Sequence, residues 1–282
     1  MLKELTIAFI GPGVMAEAMI SGLLKKELIP ARNILASGPE LDRNEYFEGK
    51  YGIHTLSENS QAAEKADVVI LSVKPQRIVK VLEGMHGSIK KDALVLSIVA
   101  GTSIGKIARL LDHNIIVRAM PNTPAQIGEG ITVWTSSPNV TEDQQEIARA
   151  ILNAFGTEIF EEEEDYLDKA TALSGTGPAY VYLFMEAMVD AGVHMGFSRR
   201  TAERLVIETL RGSVDYYDNG SEDSRHLARL RNQVTSPGGT SAEALYYLEK
   251  AGFRTAISRA IWAAYNRSKE LGQDAETHPP EN

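Results

Sequence analysis

Cysteine is absent from the 282 residues, which excludes disulfides, thiolate metal sites and a cysteine nucleophile. A basic excess is missing too. The net charge of -9 argues against nucleic acid or an anionic membrane as partner, since no basic face is there to release counterions. It leaves room for a small anionic substrate held by a local set of N–H groups. No apolar stretch is long enough to span a membrane; the most apolar one, 179–192, is short and interrupted by glycine and acids. The first residues, Met1-Leu-Lys-Glu-Leu, run straight into an apolar strand, so no signal peptide is expected and the protein is placed in the cytoplasm. No metal site is predicted. What is left is ordinary globular composition, 43% hydrophobic and 24% charged, in a length that suits two domains.

The chain is organised around residues 6–19. An apolar run of strand length meets Gly11-Pro12-Gly13 and passes into a helix-period segment with Ala16 at the third small position, the pattern G-x-G-x-x-A. Gly11 permits a tight turn, Gly13 lets backbone approach a pyrophosphate, and Ala16 lets the helix sit close on its strand. Free N–H groups are then aimed at phosphates. The same glycines would serve a sharp turn that binds nothing.

The strand at 33–37 ends in Ser37, where a dinucleotide fold usually carries the acid that holds an adenosine ribose. Serine beside Gly38 tolerates a 2′-phosphate, which tilts the cofactor toward NADPH, with NADH as the alternative. Arg43 either assists there or is a solvated helix residue, and Asn59 either caps the helix beginning near Ser57 or reads the adenosine end. Residues 66–73 are apolar on both faces, as a central parallel strand should be, and Lys74-Pro75 stops them. Ser72 to Pro75 thus lie at the carboxyl edge, where open sheets bind ligands. The strand at 94–98 ends at Val99 and Ala100 on the same edge. The strand at 115–118 enters a loop fixed by two prolines, whose Asn122 either holds a nicotinamide end or completes a rigid connector. Strands at 131–134 and 157–160 flank a helix capped at Thr141, and the acidic run 161–165 reads as a solvated linker.

From Asp165 onward the pattern is helical. Residues 172–178 break one helix and begin another, with Pro178 in its first turn. The helix at 179–192 is apolar around most of its circumference and needs cover on several sides, which predicts a subunit interface. At 234–245, proline and two glycines make a tight loop, and Thr240 with Glu243 reads as a capping box. Gly239, Thr240 and Ser241 would then start a helix with free N–H groups, able to hold a carboxylate while the two hydroxyls reach a polar atom beside it. Ordinary capping accounts for the same residues. A last helix over 255–271 precedes a polar tail, expected to be disordered.

Five motifs follow one another in a single order: the glycine turn, Val73-Lys74-Pro75, Met120-Pro-Asn122-Thr-Pro124, Leu173-Ser-Gly-Thr-Gly-Pro-Ala-Tyr180 and Val234-Thr-Ser-Pro-Gly-Gly-Thr240. In this the chain closely resembles the pyrroline-5-carboxylate reductases, from Ile7 to Leu271. The resemblance implies reduction of 1-pyrroline-5-carboxylate to L-proline by hydride transfer to a cyclic imine, the last step of proline biosynthesis. It implies an α/β fold: an N-terminal Rossmann doubly wound sheet at 1–164, an all-α dimerisation and substrate-binding domain at 165–272, and a tail at 273–282. The homodimer would form through the C-terminal helices, with room for a ring of dimers. Cofactor positions carried over are Ile10, Gly11, Pro12, Gly13, Val14, Met15, Ser37, Asn59, Ser72, Val73, Lys74, Pro75, Ile98, Val99, Ala100 and Gln233, to which Asn122 is added from its loop. Substrate positions are Glu164, Asn232, Gly238, Gly239, Thr240 and Ser241, with Ser241 and Thr240 as the catalytic pair. The chain departs from the family pattern at Asn232, where Asp is common, and at Ser241, where Thr is common. A related hydroxyacid dehydrogenase would want a lysine after the domain boundary, for which Lys169 is the nearest residue.

Overall fold

The computed structural model describes residues 2–220 and 226–277. Two compact units divide the chain: residues up to Pro178 together with the segment from Ala263 on, and Ala179–Trp262.

In the first unit, the described residues form one sheet of β1 Ile7–Ile10, β2 Ile34–Ser37, β3 His54–Leu56, β4 Val68–Leu71, β5 Leu94–Ser97, β6 Ile116–Met120, β7 Gly130–Ser136 and β8 Gly156–Phe160. Their order is β3-β2-β1-β4-β5-β6-β7-β8. Pairing is parallel from β3 to β6; β7 runs antiparallel to β6 and carries β8 parallel to itself. The chain leaves β1 toward β2 and β3, then returns to β4 on the other side, so the strand order reverses beside β1. The three-residue β3 has no apolar alternation to betray it, and the sequence reading passes over it.

Both faces of the sheet are covered, which is why its central strands are apolar throughout. Successive strand residues point to opposite faces. Ile7 and Phe9 join one core with Met19 and Leu23 of α1 (Val14–Lys25), Phe47 of α2 (Leu41–Tyr51) and Ile151 of α6 (Glu142–Leu152). Ala8 and Ile10 join the other, with Ala62 and Ala63 of α3 (Asn59–Lys65), Ile78 and Leu82 of α4 (Ile78–Glu83), and Ile107 and Leu111 of α5 (Ile104–Leu111). The helix at 142–152 has the expected Thr141 cap, reciprocated by Gln144.

The acidic run is not a linker that ends the first unit. Helix α7 (Asp165–Ala170) buries Leu167 and Ala170 and packs on β6 and β7. Thr171–Gly175 then forms a π-type turn, in which Thr171, Ser174 and Thr176 hydroxyls donate to carbonyls of Leu167, Ala170 and Thr171 at 2.7–3.0 Å. Helices α8 (Gly177–His194), α9 (Arg199–Asp218), α10 (Leu227–Gln233), α11 (Thr240–Lys250) and α12 (Phe253–Thr277) follow. The last helix does not stop at Gly272, where the tail was expected to begin. Gly272 lies against Gly101, where a Cβ would sit 2.7 Å from the Gly101 carbonyl oxygen, and the helix continues to Thr277. Residues 278–282 of the expected tail lie outside the described residues. Among the described residues no helix is long and apolar enough to cross a membrane.

The second unit has a small core. Val189 of α8 meets Ala202 and Val206 of α9, and Gly192 lets the helices approach, since a Cβ there would stand 3.0 Å from that of Ala202.

Candidate functional site

The strand register places four chain ends in one row: Ile10 pairs with Ser37 and with Leu71, and Leu71 pairs with Ser97. Everything predicted from the glycine turn to Ala100 therefore gathers on the carboxyl edge of β2, β1, β4 and β5. Gly11 has φ +91, and a Cβ on it would lie 2.6 Å from Val73 Cγ1, so conformation and crowding both demand glycine. Its N–H donates to Ser37 O at 2.8 Å. Gly13 is the N-cap of α1, offers no side-chain cap, and would hold a Cβ no closer than 4.0 Å to the Gly11 oxygen. Space over the turn is thus open, and the first-turn N–H groups of Val14, Met15 and Ala16 have no capping side chain. Ala16 is fully buried against the sheet.

Ser72 serves the turn itself. Its hydroxyl donates to the carbonyls of Ile10 and Gly11 at 3.0 and 2.9 Å, fixing their direction. Lys74 caps the short helical turn begun by Pro75. Beyond β5, Ile98 donates its N–H to Leu71 O and Val99 its N–H to the Ser97 hydroxyl, which keeps the 98–100 segment beside Ser72.

Ser37 is fully buried and its hydroxyl donates to Asn59 Oδ1 at 2.8 Å. Asn59 is consequently not a cap: α3 begins after Glu58 with no side-chain cap. An open cleft of about 1530 Å³ runs along this edge, lined by Gly11 to Val14, Ser37, Gly38, Asn59 and Ser72 to Lys74.

Asn122 follows β6 and its Oδ1 accepts from Ile131 N at 2.9 Å, which ties the proline loop to β7. Glu164, expected near substrate, is bound within the first unit: its Oε1 accepts from Ile104 N at 2.8 Å and pairs with Arg118 at 2.9 Å. Arg118 is 4% exposed and also reaches Asp168 at 3.2 Å, whose Oδ1 accepts a hydrogen bond from the Ser268 hydroxyl at 2.8 Å. Sequence reading missed this network, although a lone arginine ending an apolar strand signalled a buried charge with partners. Lys169 is held by Asp165 at 2.8 Å, an interaction that raises its pKa and keeps it a cation.

The second unit contains the other glycine turn. Gly238 has φ +67, and Gly239, not Thr240, is the N-cap of α11. The predicted capping box is absent: Thr240 is the first helical residue, and no side chain caps the helix. The Gly239 N–H is also not free, since it donates to Ser236 O at 3.0 Å. The open donors thus shift one residue along, to Thr240, Ser241 and Ala242, because Glu243 N already bonds Gly239 O. A Cβ on Gly239 would sit 2.5 Å from Ser236 Oγ. Just upstream, Asn232 Oδ1 accepts from Arg231 at 3.1 Å, and Gln233 ends α10.

Residues 164–271 match a family profile described as pyrroline-5-carboxylate reductase dimerisation, and residues 6–101 one described as NADP oxidoreductase, coenzyme F420-dependent. The pyrroline-5-carboxylate reductase of Synechocystis sp. is 39% identical over 270 residues, covering 96% of this chain and 99% of its own. The chain belongs to the pyrroline-5-carboxylate reductase family. Two solved structures of such reductases superpose closely. That from Plasmodium falciparum, with NADP bound, has a TM-score of 0.87 and 33% identity and covers 96% of this chain and 100% of its own. That from Coxiella burnetii has a TM-score of 0.85 and 38% identity, covering 95% and 98%. A reductase of this family needs a dinucleotide site, and the uncapped α1 turn, the open face of Gly13 and the lack of an acid at the end of β2 suit a phosphorylated one.

Proposed function

We propose that the protein reduces 1-pyrroline-5-carboxylate to L-proline, with NADPH the preferred reductant and NADH the poorer one. The observation that carries this reading is the likeness to reductases of that name along nearly the whole chain. The dinucleotide, when bound, supplies the hydride.

The chain's own part is binding and orientation. Backbone from Ile10 to Met15 holds the pyrophosphate, with its direction set by the Ser72 hydroxyl; Val73, Lys74 and Pro75, with Ile98, Val99 and Ala100, form the wall beside it. Ser37 and Asn59 bound the adenosine end. Asn122 and Gln233 are the outlying members of the set. At the second turn, the N–H groups of Thr240, Ser241 and Ala242 take the substrate carboxylate, with Gly238 and Gly239 shaping the approach and Asn232 just upstream; Glu164 joins the substrate set on the family resemblance alone. Hydride adds to the imine carbon, the C=N π electrons move to nitrogen, and a water supplies the proton that completes the amine. The Ser241 hydroxyl orients the ring nitrogen and does not act as an acid, its ordinary acidity being too weak. Two copies pair through α8 to α12, and a ring of such dimers is a compatible higher order. The protein works in the cytoplasm.

The decisive assay follows NADPH consumption with 1-pyrroline-5-carboxylate, beside NADH and an open-chain keto acid. Turnover of the cyclic imine alone supports the reading, and turnover of the keto acid instead would reject it. Ser241→Ala should lower kcat about tenfold or more, the loss of one orienting hydrogen bond. Full turnover and unchanged KM in that variant would remove Ser241 from the mechanism.

A further inference from the structure

The cleft wall next to Ser37 carries a charge cluster that the reading above leaves unused. Glu17, in the first turn of α1, accepts hydrogen bonds from Arg43 at 2.6 Å, Tyr46 at 2.6 Å, Lys50 at 2.9 Å and Tyr51 at 2.9 Å. Burial opposes its charge, but the bonds from Tyr46, Lys50, Arg43 and Tyr51 together outweigh it and hold the carboxyl down at about 2. Glu17 is therefore a fixed anion saturated by its donors.

What it fixes are two cations. Arg43 spends Nε on the Pro12 carbonyl at 2.9 Å and one terminal nitrogen on Glu17, and it stacks on the rings of Tyr46 and Phe47 at 4.8 and 4.7 Å. Lys50 is held between Glu17 and the Tyr46 hydroxyl. Glu17, Arg43, Lys50 and Tyr51 all line the same cleft as Ser37, Gly38 and Asn59. One anion against two cations leaves this corner with a net positive charge. The third nitrogen of Arg43 makes no hydrogen bond among the described residues.

Ser37 itself is poorly placed to hold a phosphate by donation. Its only proton goes to Asn59 Oδ1, and the Gly38 N–H goes to Leu56 O at 3.3 Å. Exposed Glu40, Glu58 and Glu83 line the cleft as well, with Lys74, Arg77 and Lys80, so its total charge is near balance and attracts a dianion weakly. Attraction has to come from cations at contact distance.

We propose that Arg43 and Lys50 donate to the 2′-phosphate of NADPH, and that Glu17 is the positioning residue that fixes both, so that preference for NADPH over NADH resides in this cage and not in Ser37. This rests on the assignment of the cleft to a dinucleotide. Arg43 has the further merit of sitting on the Pro12 carbonyl, which couples the phosphate reader to the glycine turn.

The test is equilibrium binding to the full-length protein, of NADPH and NADH by fluorescence and of 2′,5′-ADP and 5′-AMP by calorimetry. Arg43→Gln should weaken NADPH and 2′,5′-ADP about tenfold or more, the value of a charge-assisted bond, with NADH and 5′-AMP changed by less than about twofold. Lys50→Gln, at a side chain 49% exposed and so tolerant of replacement, should act in the same direction about threefold. Glu17→Gln should weaken NADPH selectively, and Glu17→Asp should restore part of the loss. Equal weakening of all four ligands would make the cage a mere prop for the turn and overturn the proposal. Unchanged NADPH binding in Arg43→Gln, or tighter NADPH binding in Glu17→Gln, would do so too. Failure of the unmodified protein to bind either dinucleotide would instead reject the assignment of the cleft.

Discussion

Phe9, Met19, Ile70 and Phe155 in the first unit are fully buried, whereas Tyr182, Leu183, Tyr247 and Trp262 in the second stand 62%, 67%, 61% and 62% exposed. The first region closes a core on each face of its sheet, whereas the second, helical throughout its described residues, gathers three buried apolar side chains among them. The first region is a fold complete in one copy. The second carries the residues of a core without the mass to enclose them, which is how a segment matching a dimerisation family should look before its partner is added. The cleft along the sheet edge is lined by residues of the first unit, and the second glycine turn lies in the other.

The largest effect should come from charging the open helices. Leu183→Asp puts a carboxylate on the apolar face of α8 twice per symmetric pair, each time losing about 2 kcal/mol of burial before desolvation is added. Light scattering should report monomers and turnover should fall by roughly two orders of magnitude, with NADPH binding altered less than about twofold. A protein that kept its mass and its turnover would show that this face is not the interface. Next in size is Phe9→Ala, which empties a fully buried site and should cost about 3–5 kcal/mol in urea unfolding. The contrast lies in concentration dependence: loss from Phe9 should be the same at any protein concentration, while loss from Leu183 should shrink as concentration rises.

How much of this was legible beforehand follows the same division. The first unit announced itself because its cores obey local rules: apolar runs in β1, β4 and β5, and glycines whose φ values no other residue adopts with ease. Where it was misread, a long-range partner had intervened. Glu164 looked like solvated linker because Arg118, its buried partner, lies 46 residues away, and of the two readings left open for Asn59 the cap fell because Ser37, 22 residues away, claims its side chain. The capping box at Thr240 failed for a smaller reason. Gly239 takes the extended N-cap conformation at no cost, so the cap falls one residue earlier than the hydroxyl pattern suggests and Thr240 is drawn into the helix. The apolar girth of α8 was plain in the sequence, and with it the need for a partner.

Within the first unit, two glycines of one turn should separate folding from binding. Gly11→Ala meets Val73 at 2.6 Å with φ +91, and should cost about 2 kcal/mol of stability as well as most NADPH affinity. Gly13→Ala meets nothing within 4.0 Å and should keep stability within about 1 kcal/mol, while the new methyl, standing where backbone must approach the phosphates, weakens NADPH about tenfold. Equal effects from the two would deny that the space over Gly13 is where the dinucleotide lies.

The smallest expected effect is the acid response of the Glu17 cage. Its carboxyl is held at about 2 in the folded chain against an ordinary 4.5, so the folded state binds this proton less readily than the unfolded one. The stability it adds is complete above the unfolded value and is lost as pH falls from about 4.5 through about 2. Glu17→Gln should therefore be less stable than the parent at pH 6, by about 1 kcal/mol once the carboxylate's contact with water is discounted, and the two should converge by pH 2. Because the cage sits in the unit that folds complete in one copy, the convergence should be independent of protein concentration. A difference that persisted undiminished to pH 2 would mean that Glu17 contributes by packing and not by charge, and would weaken with it the case for Arg43 and Lys50 as fixed cations.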